Sequence, residues 1–270
     1  MVTEFKSTDP VPPLDPRYPD PTLWARAPRT LSAEPGQHRF LWDMRYPEVP
    51  GMSTGPDASA AVPHNTPAIS SSPWVMPGTY TVRLIAAGET LSKPLPVVMD
   101  PRVKASQSDL EQQFAISRTM YEQMLEATRA IHEVTVLRDQ INSGKFKVPA
   151  GAAADLESKF EKIAGRERGE GERRGGPAGP PTLGSVRTQL ARLEHSIQNA
   201  DAAPTTAQLD ACQETAKPLR GLLNEWDAVK KTDLKAINDD LRKRDLPQLS
   251  IDTHIIDHNV EDQIEYGDDD

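Results

Sequence analysis

Two histidines close to the carboxyl end, His254 and His258, have the spacing of metal ligands on one face of a helix. The string HIIDH lacks the glutamate that a zinc protease places beside its first histidine, so it supplies no general base. The acidic residues of this tail could complete only a weak metal site, and two partly exposed histidines are the better interpretation. We therefore predict no metal and no other cofactor.

Other catalytic motifs are missing from the sequence. It contains no G-x-S-x-G elbow, no phosphate-binding P-loop and no dinucleotide-binding G-x-G-x-x-G after a strand. The carboxylate pairs Asp239-Asp240 and Glu261-Asp262 have no adjoining aromatic residue to raise a pKa, which argues against a glycosidase pair. The single cysteine, Cys212, has small and apolar neighbours and is predicted to be a core residue. The sequence thus predicts no catalytic residue.

Aromatic residues offer one binding chemistry. Trp42, Tyr46 and Trp74 lie in the proline-rich first part of the chain and could stack against sugar rings or contact a protein partner. The alternative is that the two tryptophans pack in a core or against the proline-rich loops. The long segment from Pro47 to Pro73 leads into Trp74 and is where we expect binding, unless it shields a sheet edge.

The distribution of proline divides the chain into two parts with different secondary structure, and the first part must position these aromatic residues. Eighteen of the 25 prolines lie at or before Pro101, and proline breaks helices, so this part should consist of strands and loops. We predict an immunoglobulin-like β-sandwich over residues 1–104, with long proline-rich loops and incomplete at its first strand. Alternation of apolar and polar residues predicts its strands over 2–6, 37–44, 79–86 and 90–99.

The rest of the chain is rich in helix-forming residues. Ser108 and Glu111 have the spacing of a capping box, and apolar residues then recur at steps of three, four and seven as far as Gly144. The fold class is therefore α+β with segregated domains. We predict a helical bundle over residues 105–245, with a flexible linker at 165–181, and an acidic tail over residues 246–270. The helix predicted over 182–200 carries the stripe Leu183, Val186, Leu190, Leu193 and Ile197.

Charge and hydropathy exclude two classes of partner. The net charge of −9 and the pI near 5.2 argue against nucleic acid, which requires a concentrated basic surface. No apolar run approaches the roughly 18 to 20 residues that cross a bilayer, so no membrane span is predicted. The first residues, MVTEFKSTDPVPP, have no apolar core and do not read as a signal peptide.

Four strings together resemble one protein family: DPVPPLDPRYPDPTLWARAPRTLSAEPGQHRFLWDMRYPEVPG, AAVPHNT, SPWVMPGTYTVRL and PLPVVMDPRVKASQSDLEQQF. They are similar to the carboxy-terminal portion of large bacterial proteins classed as BNR-repeat or sortilin-type glycosyl hydrolases. The similarity covers residues 2–142 and is looser over 143–240, where it rests on helical character. It implies an amino-terminal β-propeller of Asp-box repeats, then a FlgD-like immunoglobulin-type sandwich and a helical tail.

The sequence departs from that family in one respect that bears on function. It contains no S-x-D-x-G-x-x-W Asp box, so the propeller and any sialidase-like active site are absent and we expect a fragment. The resemblance implies an exported parent, periplasmic or extracellular, although this chain lacks a signal peptide. We predict a non-catalytic accessory or interaction module whose partner is an upstream β-propeller, another protein or a glycan. A carbohydrate-binding or glycoside hydrolase component and a helical adaptor for a protein partner remain the alternatives.

Overall fold

The structure, a computed structural model, describes residues 1–10, 30–52, 62–66, 69–165 and 179–251. It contains one β-hairpin followed by a bundle of helices. The strands are β1 (Gly78–Ala86) and β2 (Glu89–Val97), and the helices are α1 (Gln107–Asn142), α2 (Ala150–Ile163), α3 (Leu183–Gln198), α4 (Thr206–Val229) and α5 (Lys235–Lys243). A π-helical turn, Lys230–Leu234, joins α4 to α5. No helix in these ranges is both long and apolar enough to span a bilayer.

The predicted immunoglobulin-like sandwich over residues 1–104 is wrong. In the part of the chain that the structure describes, the only sheet has two strands, β1 and β2, which pair antiparallel. Residues 2–6 and 37–44 form no strand, and an isolated bridge between Arg45 and Trp74 is the only pairing near them. The sequence pattern was misleading. Alternation of apolar and polar residues shows that one face of a strand is apolar, but it does not show whether a second sheet covers that face.

Helix α1 is the longest element, with 36 residues and a length of about 54 Å. Its cap lies two residues before the predicted box at Ser108. The Ser106 hydroxyl accepts from the Asp109 N–H, and the Asp109 carboxylate accepts from the Ser106 N–H. Gly144 follows the helix in a left-handed conformation, with φ of 67°. The helix between these two signals packs against both α3 and α4.

The hydrophobic core lies between the helices. Tyr121 of α1, Phe160 of α2 and Trp226 of α4 are fully buried there, and the last two rings pack edge to face with centroids 5.9 Å apart. The Trp226 indole donates to the buried Glu133 carboxylate, and the Lys230 ammonium bonds the same oxygen at 3.0 Å. This buried charge is therefore paired, as a stable interior requires.

Helix α4 runs without interruption through Pro218, although proline inside a helix usually kinks or divides it. Proline has no N–H to donate to the carbonyl of Glu214, but that residue is exposed and water can satisfy the carbonyl. Helix α4 then continues through the π-helical turn into α5.

The last described residues fold back onto the bundle. Leu249 is buried, and the Asn238 side chain bonds both its N–H and its carbonyl at 2.8 Å. Ser250 makes the same pair of bonds with the side chain of Gln140. Both histidines of the candidate metal pair, Trp24 and most of the predicted linker lie outside the described residues. The predicted domain limits at 104 and 245 stay predictions.

Candidate functional site

The proline-rich segment before the hairpin folds against the bundle as a strap, a name used here for residues 42–52 together with residues 69–76. Backbone hydrogen bonds and the isolated bridge tie its two halves to each other. The strap is also bonded to the bundle, because the Trp74 N–H donates to the Gln198 side chain of α3 at 2.9 Å. Val49 inserts from the strap into the hydrophobic core. The strap therefore connects β1 to the face of the bundle that α1 and α3 form.

The three predicted contact residues do not form one aromatic platform. Trp42 donates its indole N–H to a strap carbonyl and lies edge-on to Tyr80 of β1, with 6.1 Å between ring centroids. Tyr46 faces α1 instead, where its ring packs near Tyr121 and beneath the Arg118 guanidinium. Burial raises the pKa of the Tyr46 phenol, so its hydroxyl stays neutral. Trp42 therefore packs between the strap and β1, and Tyr46 packs between the strap and α1.

Trp74 is the most exposed of the three, with 40% of its surface accessible. One face of its ring is covered by the Arg45 guanidinium, which lies 3.9 Å from the ring centroid. Arg45 is held in this position because it donates to the Ser72 carbonyl at 2.5 Å. A sugar ring could therefore stack only on the opposite face of Trp74.

Glu48 clamps the two halves of the strap. Its carboxylate accepts from the N–H and hydroxyl of Ser71 and from the hydroxyl of Ser70, each at 2.7 Å. Hydrogen bonds to an ionised acceptor are about twice as strong as neutral ones. The Val49 N–H completes the clamp by donating to the Ser71 hydroxyl at 3.0 Å. The end of the Pro47 to Pro73 segment is thus bound to its beginning, and residues 53–61 and 67–68 lie outside the described residues.

Glu194 of α3 is a buried acid near the strap. Its side chain is 0% exposed, and neither carboxylate oxygen has a hydrogen-bond partner among the described residues. Burial raises its pKa to about 8, against the opposing effect of the Arg45 charge and with a smaller contribution from Glu48. A pKa near 8 means that Glu194 is mostly protonated at neutral pH.

Sequence reasoning missed Glu194, although its position carries a signal. The buried stripe of α3 is Leu183, Val186, Leu190, Glu194 and Ile197, whereas the predicted stripe had Leu193 in place of the acid. A carboxylate at a position that helical spacing assigns to the core is a recognisable exception. Arg45 and Glu48 have no such signal, because their partners come from loop residues more than 20 positions away.

The β-hairpin presents an apolar surface to solvent. Residues directly opposite one another in an antiparallel pair share a face, and the register places Val82 opposite Lys93 and Leu84 opposite Leu91. Val82 is 50% exposed and Leu91 is 60% exposed. The apolar face, as we name it, consists of Tyr80, Val82, Leu84, Leu91, Leu95 and Val97.

The hairpin turn determines which backbone groups are free. Ala87 and Gly88 have φ of 51° and 80°, the signature of a two-residue type I′ turn, so Ala86 and Glu89 form the hydrogen-bonded pair that closes it. Bonded and non-bonded pairs then alternate along the ladder. The N–H and carbonyl groups that consequently point away from β2, with no bond to any described residue, are those of Thr79, Thr81, Arg83 and Ile85.

The outer edge of β2 differs from that of β1. Pro94 and Pro96 lie opposite Thr81 and Thr79, which are the non-bonded positions. At these positions an N–H group would point away from β1. The two prolines therefore remove donors from the outer edge of β2 and leave the hydrogen bonds between β1 and β2 intact. Strand β1 has no proline, so only its edge has a full set of donors and acceptors.

The described residues contain little that suggests catalysis. In this part of the chain, no group of three or more His, Cys, Asp and Glu side chains is placed to hold a metal ion. Cys212 is buried, its sulfur lies 3.3 Å from that of Met120, and burial raises its pKa, which keeps the thiol protonated. Asp239 and Asp240 form ion pairs with basic residues four positions away, as on a solvated helix face. The chemistry that these arrangements offer is contact and strand pairing.

Comparison with known protein families, characterised proteins and solved structures gives no match to this chain. The resemblance to BNR-repeat and sortilin-type proteins therefore stays a prediction.

Proposed function

We propose that this chain is a non-catalytic interaction module, in which the helical bundle holds the β-hairpin out as a docking surface for a β-rich protein domain. The observation that carries this proposal is the exposure of the apolar face, where Val82, Leu84 and Leu91 are each about half exposed or more. Isolated two-stranded hairpins are marginally stable in water, and contiguous exposed apolar side chains are typical of interaction sites.

The attachment of the hairpin supports a docking role. The Tyr80 hydroxyl donates to the Met76 carbonyl at 2.7 Å, and the Trp42 ring packs against Tyr80 from the strap. The strap is in turn bonded to α3 through Gln198. A hairpin that is fixed at its base loses less conformational freedom when a partner binds, which favours affinity.

The first candidate partner is the β-propeller that the family resemblance implies upstream, in an exported parent protein. The apolar side chains of one sheet face can pack against another sheet at a spacing of about 10 Å. The glycan alternative has less support, because Arg45 covers one face of Trp74.

The proposal is tested in an isothermal calorimeter by titrating the full chain with the β-propeller that the resemblance implies upstream in the parent protein. We expect Leu84→Glu to weaken binding at least tenfold, because it places a carboxylate directly opposite Leu91 on the apolar face, whereas a carboxylate at Val82 would pair with Lys93. Ser92→Glu lies on the opposite face of the hairpin and should leave the affinity unchanged. Absence of binding, or equal loss in both variants, would contradict the proposal.

A glycan array with the same chain addresses the carbohydrate alternative. Saturable sugar binding that is lost in Trp74→Ala, with an unchanged circular dichroism spectrum, would favour a carbohydrate-binding function instead.

A further inference from the structure

We infer that two copies of this chain associate through the outer edge of β1 and form a four-stranded antiparallel sheet in the order β2-β1-β1-β2. This inference concerns the strand edge and goes beyond the proposed function, which concerns the apolar face. The two can therefore fail separately.

The edge of β1 is able to bind another strand. The outward N–H and carbonyl groups of four residues, Thr79, Thr81, Arg83 and Ile85, have no bond to any described residue. They extend over a length of about 20 Å. An exposed strand edge is a template for pairing, and proteins that avoid pairing usually interrupt it with proline, a bulge or a buried charge. Strand β1 forms a regular ladder without proline or bulge, and Arg83 is its one charged residue.

A second copy of β1 is the occupant that fits this edge, because the strand is complementary to itself in one register. With Val82 on the two-fold axis, Thr79 faces the partner's Ile85 and Thr81 faces the partner's Arg83. All four outward residues of each copy are then bonded. A register shifted by two residues bonds only three of them, and one of the two shifts places Arg83 opposite its own copy.

Charge and polarity agree with this register. The paired arrangement keeps the two Arg83 side chains opposite threonines and avoids a like-charge pair. It also joins the two apolar faces into one, since Val82 then lies beside the partner's Val82 and Tyr80 beside the partner's Leu84. Directly opposite residues share a face, so the side chains of the two apolar faces stay on one side of the sheet, and Ile85 is the apolar residue of β1 on the other side.

The prolines of β2 limit the assembly to two copies. Pro94 and Pro96 remove two of the N–H donors from the outer edges of the four-stranded sheet. Growth of a fibre would require pairing at those edges. A strand with one open edge and one blocked edge therefore forms a closed, isologous dimer.

The inference is tested by sedimentation velocity of the full chain and of two matched variants over a wide concentration range. Arg83→Pro and Ser92→Pro alter the two members of one non-bonded pair, so any damage to the hairpin itself should be similar in both. Arg83→Pro removes an N–H from the open edge and should raise the dimer dissociation constant at least tenfold. Ser92→Pro should leave dimerisation unchanged.

The register is tested by disulfide formation. Facing non-bonded residues have Cα atoms about 4.5 Å apart, within the range that a disulfide spans. Oxidised Val82→Cys should therefore run as a covalent dimer on a non-reducing gel, whereas Leu91→Cys on β2 should remain a monomer. Cys212 is only 3% exposed and should not compete. A chain that stays monomeric at several hundred micromolar, equal effects of the two proline variants, or cross-linking through Leu91→Cys and not through Val82→Cys would each overturn the inference.

Discussion

Replacing Glu194 by glutamine should stabilise the protein in a pH-dependent way. The acid is 0% exposed without a hydrogen-bond partner, and burial is the main cause that raises its pKa to about 8 from an ordinary value of 4.5. Below pH 4.5 the carboxyl is protonated in the folded and in the unfolded chain, and it contributes no pH dependence. Between pH 4.5 and 8 the unfolded chain releases its proton while the native protein keeps it, so stability falls as the pH rises.

The size of this effect follows from the two pKa values. One pKa unit corresponds to about 1.4 kcal/mol, so the full difference between 4.5 and 8 is about 5 kcal/mol. At pH 7 about 3 kcal/mol of this penalty is present. Glutamine has nearly the shape of the protonated acid and cannot ionise. We therefore expect Glu194→Gln to match the native protein near pH 4 and to exceed its unfolding free energy by up to about 3 kcal/mol at pH 7.

Urea denaturation followed by circular dichroism at pH values from 4 to 8.5 measures the difference between the two proteins. The matched control is Glu126→Gln, which removes an exposed carboxylate from α1 and should give no such slope. A difference between Glu194→Gln and the native protein that does not change with pH would refute the reasoning, because the buried acid would then be ionised or would have a hidden partner.

Three further predictions concern the core and the hairpin. Trp226→Phe removes the indole donor to the buried Glu133 and should lower the unfolding free energy by about 1–3 kcal/mol, measured by urea denaturation; an unchanged midpoint would show that the bond adds nothing. Ala87→Asn places a residue that tolerates positive φ in the type I′ turn and should slow amide hydrogen exchange in β1 and β2 several-fold, without a change in the bundle. Cys212 should react with an aromatic disulfide reagent at pH 8 only at the rate of unfolding, since burial keeps its thiol inaccessible and protonated; rapid labelling of the native chain would contradict its place in the core.

The helical part was the more predictable, because helical periodicity reports directly on the buried face. The apolar spacing after Ser108 predicted α1 with an end at Gly144, and the error at its start arose because Ser106 and Ser108 each have an acid three residues later. Position 194 was misjudged because the neighbouring Leu193 also fits the helical spacing and is apolar, so it was chosen for the buried face in place of the acid.

The proline-rich part could not be predicted in the same way. The sequence located the hairpin strands to within a few residues but not their surroundings, since Val82 and Leu84 alternate equally well on an open hairpin and in a sandwich. The different surroundings of Trp42, Tyr46 and Trp74 could not be predicted for a related reason. Arg45 covers one face of Trp74 through a contact between the two halves of the strap, and no local sequence pattern predicts such a contact.

Because of the clamp at Glu48, the stability of the strap depends little on the length of the segment between Glu48 and Ser70. Because Glu48 is bonded to Ser70 and Ser71, the ends of the intervening loop meet whatever lies between them. Lengthening a loop whose ends are already fixed costs only about 0.6 kcal/mol for each doubling, since closure entropy grows with the logarithm of length. We therefore expect this loop to tolerate peptide insertions.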